Sequence, residues 1–119
     1  MKTLGIGIDI INNKRIRALI NNKSFIDRTY SKSEIKLSKK ILNKTNYFAK
    51  RFAAKESLAK SIGTGFRNNL NFKDIEILND RKGKPYYFKT KKINNIINKK
   101  FKVKNYNLFL SISDEKDYS

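Results

Sequence analysis

The first residues of the chain alternate between large apolar side chains and small or acidic ones. Successive side chains of a strand point to opposite faces, so this alternation predicts a strand over residues 3–11. One face of that strand is apolar and consists of Leu4, Ile6, Ile8 and Ile10. The other face is nearly bare backbone with a single acid, which leaves room for another group to approach; it consists of Gly5, Gly7 and Asp9.

Helical periodicity dominates the next part of the chain. It predicts a short basic helix over 14–20. A second helix is predicted to begin at the capping box of Ser31 and Glu34 and to run through about Leu42. A long helix is predicted over 47–62. The Gly-Thr-Gly sequence that follows ends it, since glycine is preferred just past a helix C-terminus.

The last third of the chain returns to strand patterns. Strands are predicted at 74–78 and 85–89, joined by a turn-forming cluster, and a short helix is marked by Ile93, Ile96 and Ile97. A final strand is predicted over 106–113. The order β-α-α-α-β-β-α-β is typical of a small α+β protein, and we expect a single domain over residues 1–119.

Two isolated carboxylates, Asp9 and Glu56, indicate a site. Glu56 falls within the apolar stripe of the long helix, which consists of Phe48, Phe52, Ala59 and Ile62. A buried carboxylate is costly unless it is paired or binds a metal, and the chain has only 10 acidic residues. Two structural alternatives stay open: Asp9 could cap a turn at the end of its strand, and Glu56 could pair with Lys60 one turn later.

Composition narrows the chemistry. The chain of 119 residues has no cysteine and no histidine, which excludes disulfides, thiolate chemistry, Ser-His catalysis and imidazole metal ligands. Acid–base chemistry must then use carboxylates, lysine, tyrosine or metal-bound water, and a hard cation held by oxygen atoms fits best. No apolar run is long enough to span a bilayer, and the first residues lack the features of a signal peptide, so we expect a cytoplasmic protein without a membrane partner.

The net charge of +18 favours anionic partners such as nucleic acids, phosphorylated cofactors and acidic proteins. A small basic nucleic-acid-binding module is therefore an alternative function. The placement of the aromatic residues argues against it, because Phe48 and Phe52 lie on the predicted buried stripe and Tyr86, Tyr87 and Phe88 lie in a predicted strand. Nor does that alternative explain the two isolated acids.

The motifs together resemble a known family. Gly-Ile-Gly-Ile-Asp-Ile at 5–10 is followed by Arg-Phe-Ala-Ala-Lys-Glu at 51–56, with Lys60 and Gly-Thr-Gly at 63–65 after it. Asp-Ile-Glu-Ile at 74–77, Gly-Lys-Pro at 83–85 and Ser-Ile-Ser at 111–113 complete the order. This arrangement resembles the bacterial holo-[acyl-carrier-protein] synthases, the small trimeric type of 4′-phosphopantetheinyl transferase. The resemblance implies an antiparallel sheet packed against a long central helix.

The same resemblance implies a reaction and its site. A phosphopantetheine group passes from coenzyme A to a serine of acyl carrier protein, 3′,5′-ADP leaves, and the product serves fatty acid biosynthesis. Asp9 and Glu56 would be the Mg²⁺ ligands, and Glu56 would act on the serine hydroxyl directly or through a metal-held water. Lys60 would contact the phosphates of the coenzyme, and Arg51 the 3′-phosphate.

The remaining implied roles concern binding surfaces. Gly63 and Gly65 would let the coenzyme approach the backbone, and Lys84 and Pro85 would line the adenine side; helix termination and a hairpin turn are the respective alternatives. The segment 14–28 would dock the acidic carrier protein through Arg15, Arg28 and the apolar anchor Phe25, with a solvated basic helix as the alternative. A homotrimer is expected.

Two departures from the family pattern carry expectations of their own. Asp114 stands where the family usually has histidine, so a carboxylate near the nucleotide would repel phosphate. The chain stops at Ser119, where relatives continue, so we expect an unpaired edge or a weaker subunit interface. A family member with impaired catalysis is therefore a further alternative.

Overall fold

The computed structural model describes residues 2–67 and 69–119. Five α-helices and one antiparallel hairpin form the regular structure. The helices are α1 (Asn13–Leu19), α2 (Lys23–Thr29), α3 (Lys32–Ser38), α4 (Lys44–Ile62) and α5 (Lys91–Phe101). The strands β1 (Glu76–Asn79) and β2 (Pro85–Phe88) follow a short 3₁₀ helix at Phe72–Asp74. The predicted α+β class is confirmed.

Helix α4 is shared by two apolar clusters. One contains its C-terminal half with β1, β2 and α5, including Leu58, Ile77 and Ile93. The other contains its N-terminal half with α1, α2 and the residues around Tyr30. The predicted stripe is buried, with Phe48, Phe52, Ala59 and Ile62 between 0% and 7% exposed. The antiparallel pair β1–β2 packs on this helix, so the predicted sheet-on-helix arrangement is confirmed.

The strand predicted over residues 3–11 is wrong, but its two predicted faces, one apolar and one with the glycines, do point in opposite directions. In the described part of the chain, residues 3–11 belong to no strand ladder. Exposure nevertheless alternates from Ile6 to Ile11, because the glycine face turns toward α4. The apolar face turns outward, with Ile6 and Ile8 each 83% exposed and Ile10 73% exposed.

The predicted last strand behaves in the same way. Residues 106–113 also form no ladder within the described ranges. Tyr106, Leu108, Leu110 and Ile112 share one face of this segment, and all four pack against the cluster around the second half of α4. Phe109, on the opposite face, is 80% exposed.

The end of the chain is paired, so the expected unpaired edge is wrong there. The backbone amide of Ile11 donates to the carbonyl of Ser119 at 2.9 Å, and the amide of Ser119 donates back to Ile11 at 3.0 Å. The buried Asn13 side chain donates to the carbonyl of Glu115 at 2.9 Å. These bonds join the last residues to the start of α1.

Two helices differ from the sequence prediction. Helix α2 was not predicted, although Asn22 caps it by accepting from the amide of Phe25 at 3.2 Å. Helix α3 has the predicted capping box of Ser31 and Glu34 but ends at Ser38. The Lys44 ammonium contacts the carbonyl oxygens of Ser38 and Ile41 at 3.1 and 2.8 Å, which satisfies groups that another helical turn would have used.

Candidate active site

The N-terminal segment is held against α4 by two glycines. A Cβ atom on Gly7 would lie 1.8 Å from the carbonyl oxygen of Ser57, and one on Gly5 would lie 2.0 Å from that of Ser61. Such distances are impossible for a side chain, so only glycine permits this approach. The group that approaches the bare face is therefore the backbone of α4. This contact brings Asp9 next to the helix.

Asp9 pairs with Lys60 of that helix. The Lys60 ammonium lies 2.9 Å from Asp9 Oδ1 and also donates to the carbonyl oxygen of Ile8 at 3.2 Å. The Asp9 side chain is only 14% exposed, whereas that of Lys60 is 53% exposed. The hydrogen bond to Asp9, and then its charge, raise the pKa of Lys60. The expected alternative of a Glu56–Lys60 ion pair is wrong among the described residues, because Lys60 bonds to Asp9 instead.

Glu56 completes the acidic part of the site. Its side chain is half-buried, and burial raises the pKa of its carboxyl above the ordinary value. The Asp9 carboxylate adds to this rise, while Lys60 and Arg15 oppose it. The structure therefore brings together the two predicted acids and Lys60, with Arg15 of α1 close enough to act on the same carboxyl.

The donor set fits Mg²⁺ that is shared with a substrate. Asp9 and Glu56 offer hard oxygen atoms, and Mg²⁺ is commonly bound through one or two carboxylates, with substrate phosphates and waters as the other ligands. Across residues 2–67 and 69–119, no cluster of three or more acidic, histidine or cysteine side chains forms a complete protein cage. Asp9 lines two open grooves, of about 790 and 700 Å³, so phosphate groups have room to reach it.

The fully buried charge of α4 is Lys55, which the sequence analysis did not single out. Its ammonium lies 2.8 Å from Glu34 Oε1, and both side chains are 0% exposed. It also donates to the carbonyl of Phe72 at 3.0 Å and to that of Ile75. Burial lowers the pKa of Lys55, and the Glu34 charge opposes that shift.

The prediction that Glu56 lies within the buried stripe of the long helix is wrong, because Lys55 holds that position. The stripe advances by four, three, four and three residues through Phe48, Phe52, Lys55, Ala59 and Ile62. Its central position is therefore Lys55, and Glu56 lies about 100° further around the helix. The alternating spacing of four and three residues could have identified the buried lysine from the sequence alone.

The residues predicted on the nucleotide side form a separate group. The Arg51 guanidinium lies over the Tyr47 ring, 3.8 Å from its centroid, and donates to Asn79 Oδ1 at 3.3 Å. Asn79 is paired in register with Pro85 at the end of the hairpin. In the described residues, no hydrogen bond or ion pair links this group to Asp9 and Glu56. Arg51 is 5% exposed, and its Nε has no hydrogen-bond partner there.

The predicted turn positions have structural roles. Gly63 ends α4 in the left-handed conformation with φ of 88°, which bears out the helix-termination alternative. Gly65 also has positive φ, and a Cβ atom there would meet open space. Lys84 lies in the hairpin turn, where its amide donates to Asp80 Oδ1 at 2.8 Å. These contacts account for the turns and leave coenzyme binding by these residues as a prediction.

The predicted docking segment presents its arginines but not its phenylalanine. Arg15 and Arg28 are exposed, and their guanidinium carbons lie 5.8 Å from the Phe52 ring and 5.6 Å from the Phe25 ring. Phe25 is only 6% exposed and packs in the core. The prediction that Phe25 is a surface anchor is therefore wrong; the ring supports Arg28 from within.

Asp114 lies near the first half of α4. One of its oxygens accepts from Asn46 Nδ2 at 2.8 Å, and the other lies 3.6 Å from the Lys50 ammonium. Its negative charge is thus partly offset by groups of the same chain. This local pairing was not expected from the sequence.

The comparisons with known proteins agree with this fold. A family model described as the 4′-phosphopantetheinyl transferase superfamily matches residues 5–114. A holo-[acyl-carrier-protein] synthase of Pelagibacter ubique is 58% identical over 119 residues, which are 100% of this chain and 93% of that relative. The chain belongs to the 4′-phosphopantetheinyl transferase superfamily.

Solved structures place the chain more narrowly. The holo-[acyl-carrier-protein] synthase of Neisseria meningitidis superposes with a TM-score of 0.88 at 35% identity, covering 98% of this chain and 93% of that one. The enzyme of Bacillus anthracis, in complex with CoA (3′,5′-ADP), gives 0.78 at 33% identity, covering 97% and 89%. Within the superfamily, this protein is an enzyme of the holo-[acyl-carrier-protein] synthase type.

Proposed function

We propose that this enzyme transfers the 4′-phosphopantetheine group of coenzyme A to a serine of apo-acyl carrier protein, with Mg²⁺, and releases 3′,5′-ADP in support of fatty acid biosynthesis. The observation that carries the proposal is the juxtaposition of Asp9, Glu56 and Lys60, of which Asp9 lines two open grooves. Family membership supplies the reaction class, and the coenzyme in the Bacillus anthracis structure supports the same co-substrate here.

Asp9 and Glu56 are the proposed holders of the metal. A magnesium ion bound there would polarise the pyrophosphate and neutralise charge on the leaving nucleotide. Glu56 is also the proposed general base for the serine hydroxyl. Its raised pKa brings the carboxyl closer to neutrality, the range in which a general base both accepts and releases a proton readily.

Lys60 is the proposed phosphate contact next to the acids. It lies one helical turn beyond Glu56 and is half exposed, so its ammonium can turn toward a phosphate with little change of backbone. The ammonium would stabilise charge that develops on the leaving phosphate oxygen.

The nucleotide would bind at the separate group around Arg51 and the hairpin turn. Arg51 is our proposal for the 3′-phosphate, because its Nε is a buried donor without a partner in the part of the chain that the structure describes and because guanidinium groups bind phosphate through several donors. Gly63 and Gly65 would border the coenzyme, and Lys84 and Pro85 its adenine.

Arg15 and Arg28 are the proposed docking residues for the carrier protein. Both are exposed, and the guanidinium of each lies over a buried aromatic ring, Phe52 for Arg15 and Phe25 for Arg28. Acyl carrier protein is acidic, so such charges would speed and orient its approach. Arg15 also acts on Glu56, which supports a docking surface next to the proposed reacting groups.

A homotrimer in the cytoplasm is part of the proposal. Ile6, Ile8, Ile10 and Phe109 are 73% to 83% exposed, and a row of exposed large apolar side chains is typical of an interaction surface. A second copy of the chain is the occupant that the family suggests. In the described ranges, no helix is long and apolar enough to cross a membrane.

The proposal is tested by adding the purified protein, coenzyme A and Mg²⁺ to apo-acyl carrier protein and weighing the carrier by intact mass spectrometry. A gain of one phosphopantetheine that disappears when the metal is chelated is the expected result. No gain from folded enzyme and competent carrier would contradict the transfer and favour a family member with impaired catalysis.

A further inference from the structure

Lys60 places a positive charge directly against the Asp9 carboxylate. Its ammonium lies 2.9 Å from Asp9 Oδ1 and 3.2 Å from the carbonyl oxygen of Ile8. Both oxygens lie on the segment that Gly5 and Gly7 hold against α4. The Asp9 side chain is 14% exposed, so little of its carboxylate remains open to a second positive charge.

Glu56 lies one helical turn before Lys60 and brings a second carboxylate to this part of α4. The two carboxylates repel each other, and the Lys60 ammonium, 2.9 Å from Asp9 Oδ1, offsets that repulsion. A divalent cation on Asp9 and Glu56 would take over this role and would repel the ammonium. Lys60 is 53% exposed at its side chain, so it can move away without unfolding anything.

We propose that Lys60 is a resident counter-ion that competes with the metal for Asp9 and is handed over to the coenzyme's phosphate when the coenzyme binds. This inference rests on the proposed metal site and adds that coenzyme binding precedes tight binding of the metal. The free protein binds the divalent cation weakly, and the coenzyme strengthens that binding both by offering phosphate oxygens and by drawing Lys60 from Asp9.

If Lys60 competes with the metal, removing its charge should raise the affinity of the protein for a divalent cation when no coenzyme is present. Mn²⁺ is the probe, because it prefers oxygen ligands and its unpaired electrons report binding by electron paramagnetic resonance. Lys60→Met removes the charge and keeps an unbranched chain. Without coenzyme, we expect this variant to bind Mn²⁺ roughly 5- to 30-fold tighter than the unchanged protein, from the repulsion of charges about 4 Å apart that are screened as in water.

A control variant separates this local effect from net charge. Lys40 is exposed, and its side chain makes no hydrogen bond within the described ranges, so Lys40→Met lowers the net charge equally and is expected to leave Mn²⁺ affinity unchanged. Saturating coenzyme A should strengthen Mn²⁺ binding more in the unchanged protein than in Lys60→Met, because only the former has an ammonium to hand over.

The outcomes distinguish this inference from the proposed function when carrier labelling is measured on the same samples. Tighter Mn²⁺ binding by Lys60→Met alone supports the counter-ion role. Magnesium-dependent labelling by the unchanged protein, with Lys60→Met binding Mn²⁺ no more tightly than Lys40→Met, overturns the inference and leaves the function standing. Absence of both labelling and Mn²⁺ binding overturns the two together.

Discussion

Gly7 and Ser57 lie so close that a Cβ atom on the glycine would be 1.8 Å from the serine carbonyl oxygen. That carbonyl belongs to α4, one residue after Glu56 in the chain. The contact fixes the distance between the N-terminal segment and the helix, and Asp9 follows Gly7 by two residues. The relative position of the two site acids therefore depends on a glycine that touches neither of them.

Replacing Gly7 with alanine should displace the segment that carries Asp9. The added methyl group would meet helix backbone, which cannot give way as a flexible side chain would. We expect a loss of about 1–3 kcal/mol in the free energy of unfolding, as for overpacked interiors, and a roughly 100-fold loss of transfer rate, because small misplacements of reacting groups are costly.

Urea unfolding and carrier labelling would measure these two effects of Gly7→Ala. Gly83→Ala is the matched control, since Gly83 has φ of 85° and a Cβ atom there would meet nothing within 4 Å. It should cost about 1 kcal/mol of backbone strain and keep the transfer rate. Equal rates in the two variants would contradict the positioning role of Gly7.

Removing one partner of the buried pair of Lys55 and Glu34 should destabilise the protein strongly, because the other charge would be left buried and unpaired. Lys55→Met leaves the Glu34 carboxylate buried without its counter-ion, which costs about 3–5 kcal/mol in comparable cases. Glu34→Gln should likewise destabilise the protein. The double variant is expected to recover part of the loss, because it removes both charges.

Urea unfolding of these three variants would test the pair. A loss below about 1 kcal/mol for Lys55→Met would show that water or other groups solvate Glu34 and would contradict its burial. Lys23→Met is a suitable control, because Lys23 pairs with Asp27 on the surface, with 87% and 52% of the two side chains exposed.

The raised pKa of Glu56 gives the free energy of unfolding a pH dependence with a definite sign. In the metal-free protein the folded state binds this proton more tightly than the unfolded state, whose carboxyl has the ordinary pKa of 4.5. The stabilising contribution is therefore fully present below pH 4.5 and is lost as the pH rises through the higher folded-state pKa.

Glu56→Gln removes this titration, so its stability relative to the unchanged protein should increase over that pH interval. The side chain is half exposed, and solvent screening limits the change to a few tenths of a kcal/mol, an order-of-magnitude figure. Urea unfolding at several pH values in the presence of a chelator would measure it. A constant difference between the two proteins from pH 4 to 8 would exclude the raised pKa.

Charge reversal on the docking segment should weaken carrier binding selectively. Arg28→Glu is the cleaner variant, because Arg15 also acts on Glu56 and its reversal would alter the site as well. We expect Arg28→Glu to weaken apo-carrier binding about 10-fold and to leave coenzyme binding nearly unchanged. Both affinities can be measured by isothermal titration calorimetry.

Arg17→Glu is the matched control for this prediction, since Arg17 is an exposed arginine of the same basic segment and we expect it to be solvated. If the two reversals weaken carrier binding equally, net charge rather than a defined surface is responsible. If neither does so, the carrier docks elsewhere.

The sequence predicted most of the fold where a pattern is local. The capping box of Ser31 and Glu34, the stop at Gly63 and the hairpin all depend on neighbouring residues. The pairing of the two terminal segments depends on partners far along the chain, and alternation alone could not tell a strand in a ladder from a chain that rests on a helix. Helix α2 was missed because Asn22, two residues after the predicted helix over 14–20, was not recognised as the cap of another helix.

The candidate site was predictable in part for the same reason. Asp9, Glu56 and Lys60 come together because one helix face and one segment supply all three. The partner of Lys60 was not predictable, since both acids lay within plausible reach and only the glycine contact decides in favour of Asp9. The burial of Phe25 and the pairing of Asp114 with Lys50 likewise depend on tertiary contacts.

We propose that Asp9 and Glu56 are both needed for a magnesium-dependent transfer. The most direct measurement is the rate at which apo-acyl carrier protein gains one phosphopantetheine, by intact mass, for Asp9→Asn, Glu56→Gln and the unchanged enzyme at saturating Mg²⁺. We predict that each variant remains folded and loses about 100-fold or more in rate, as expected when a metal ligand is removed. A folded variant that labels the carrier at a near-normal rate would contradict the claim.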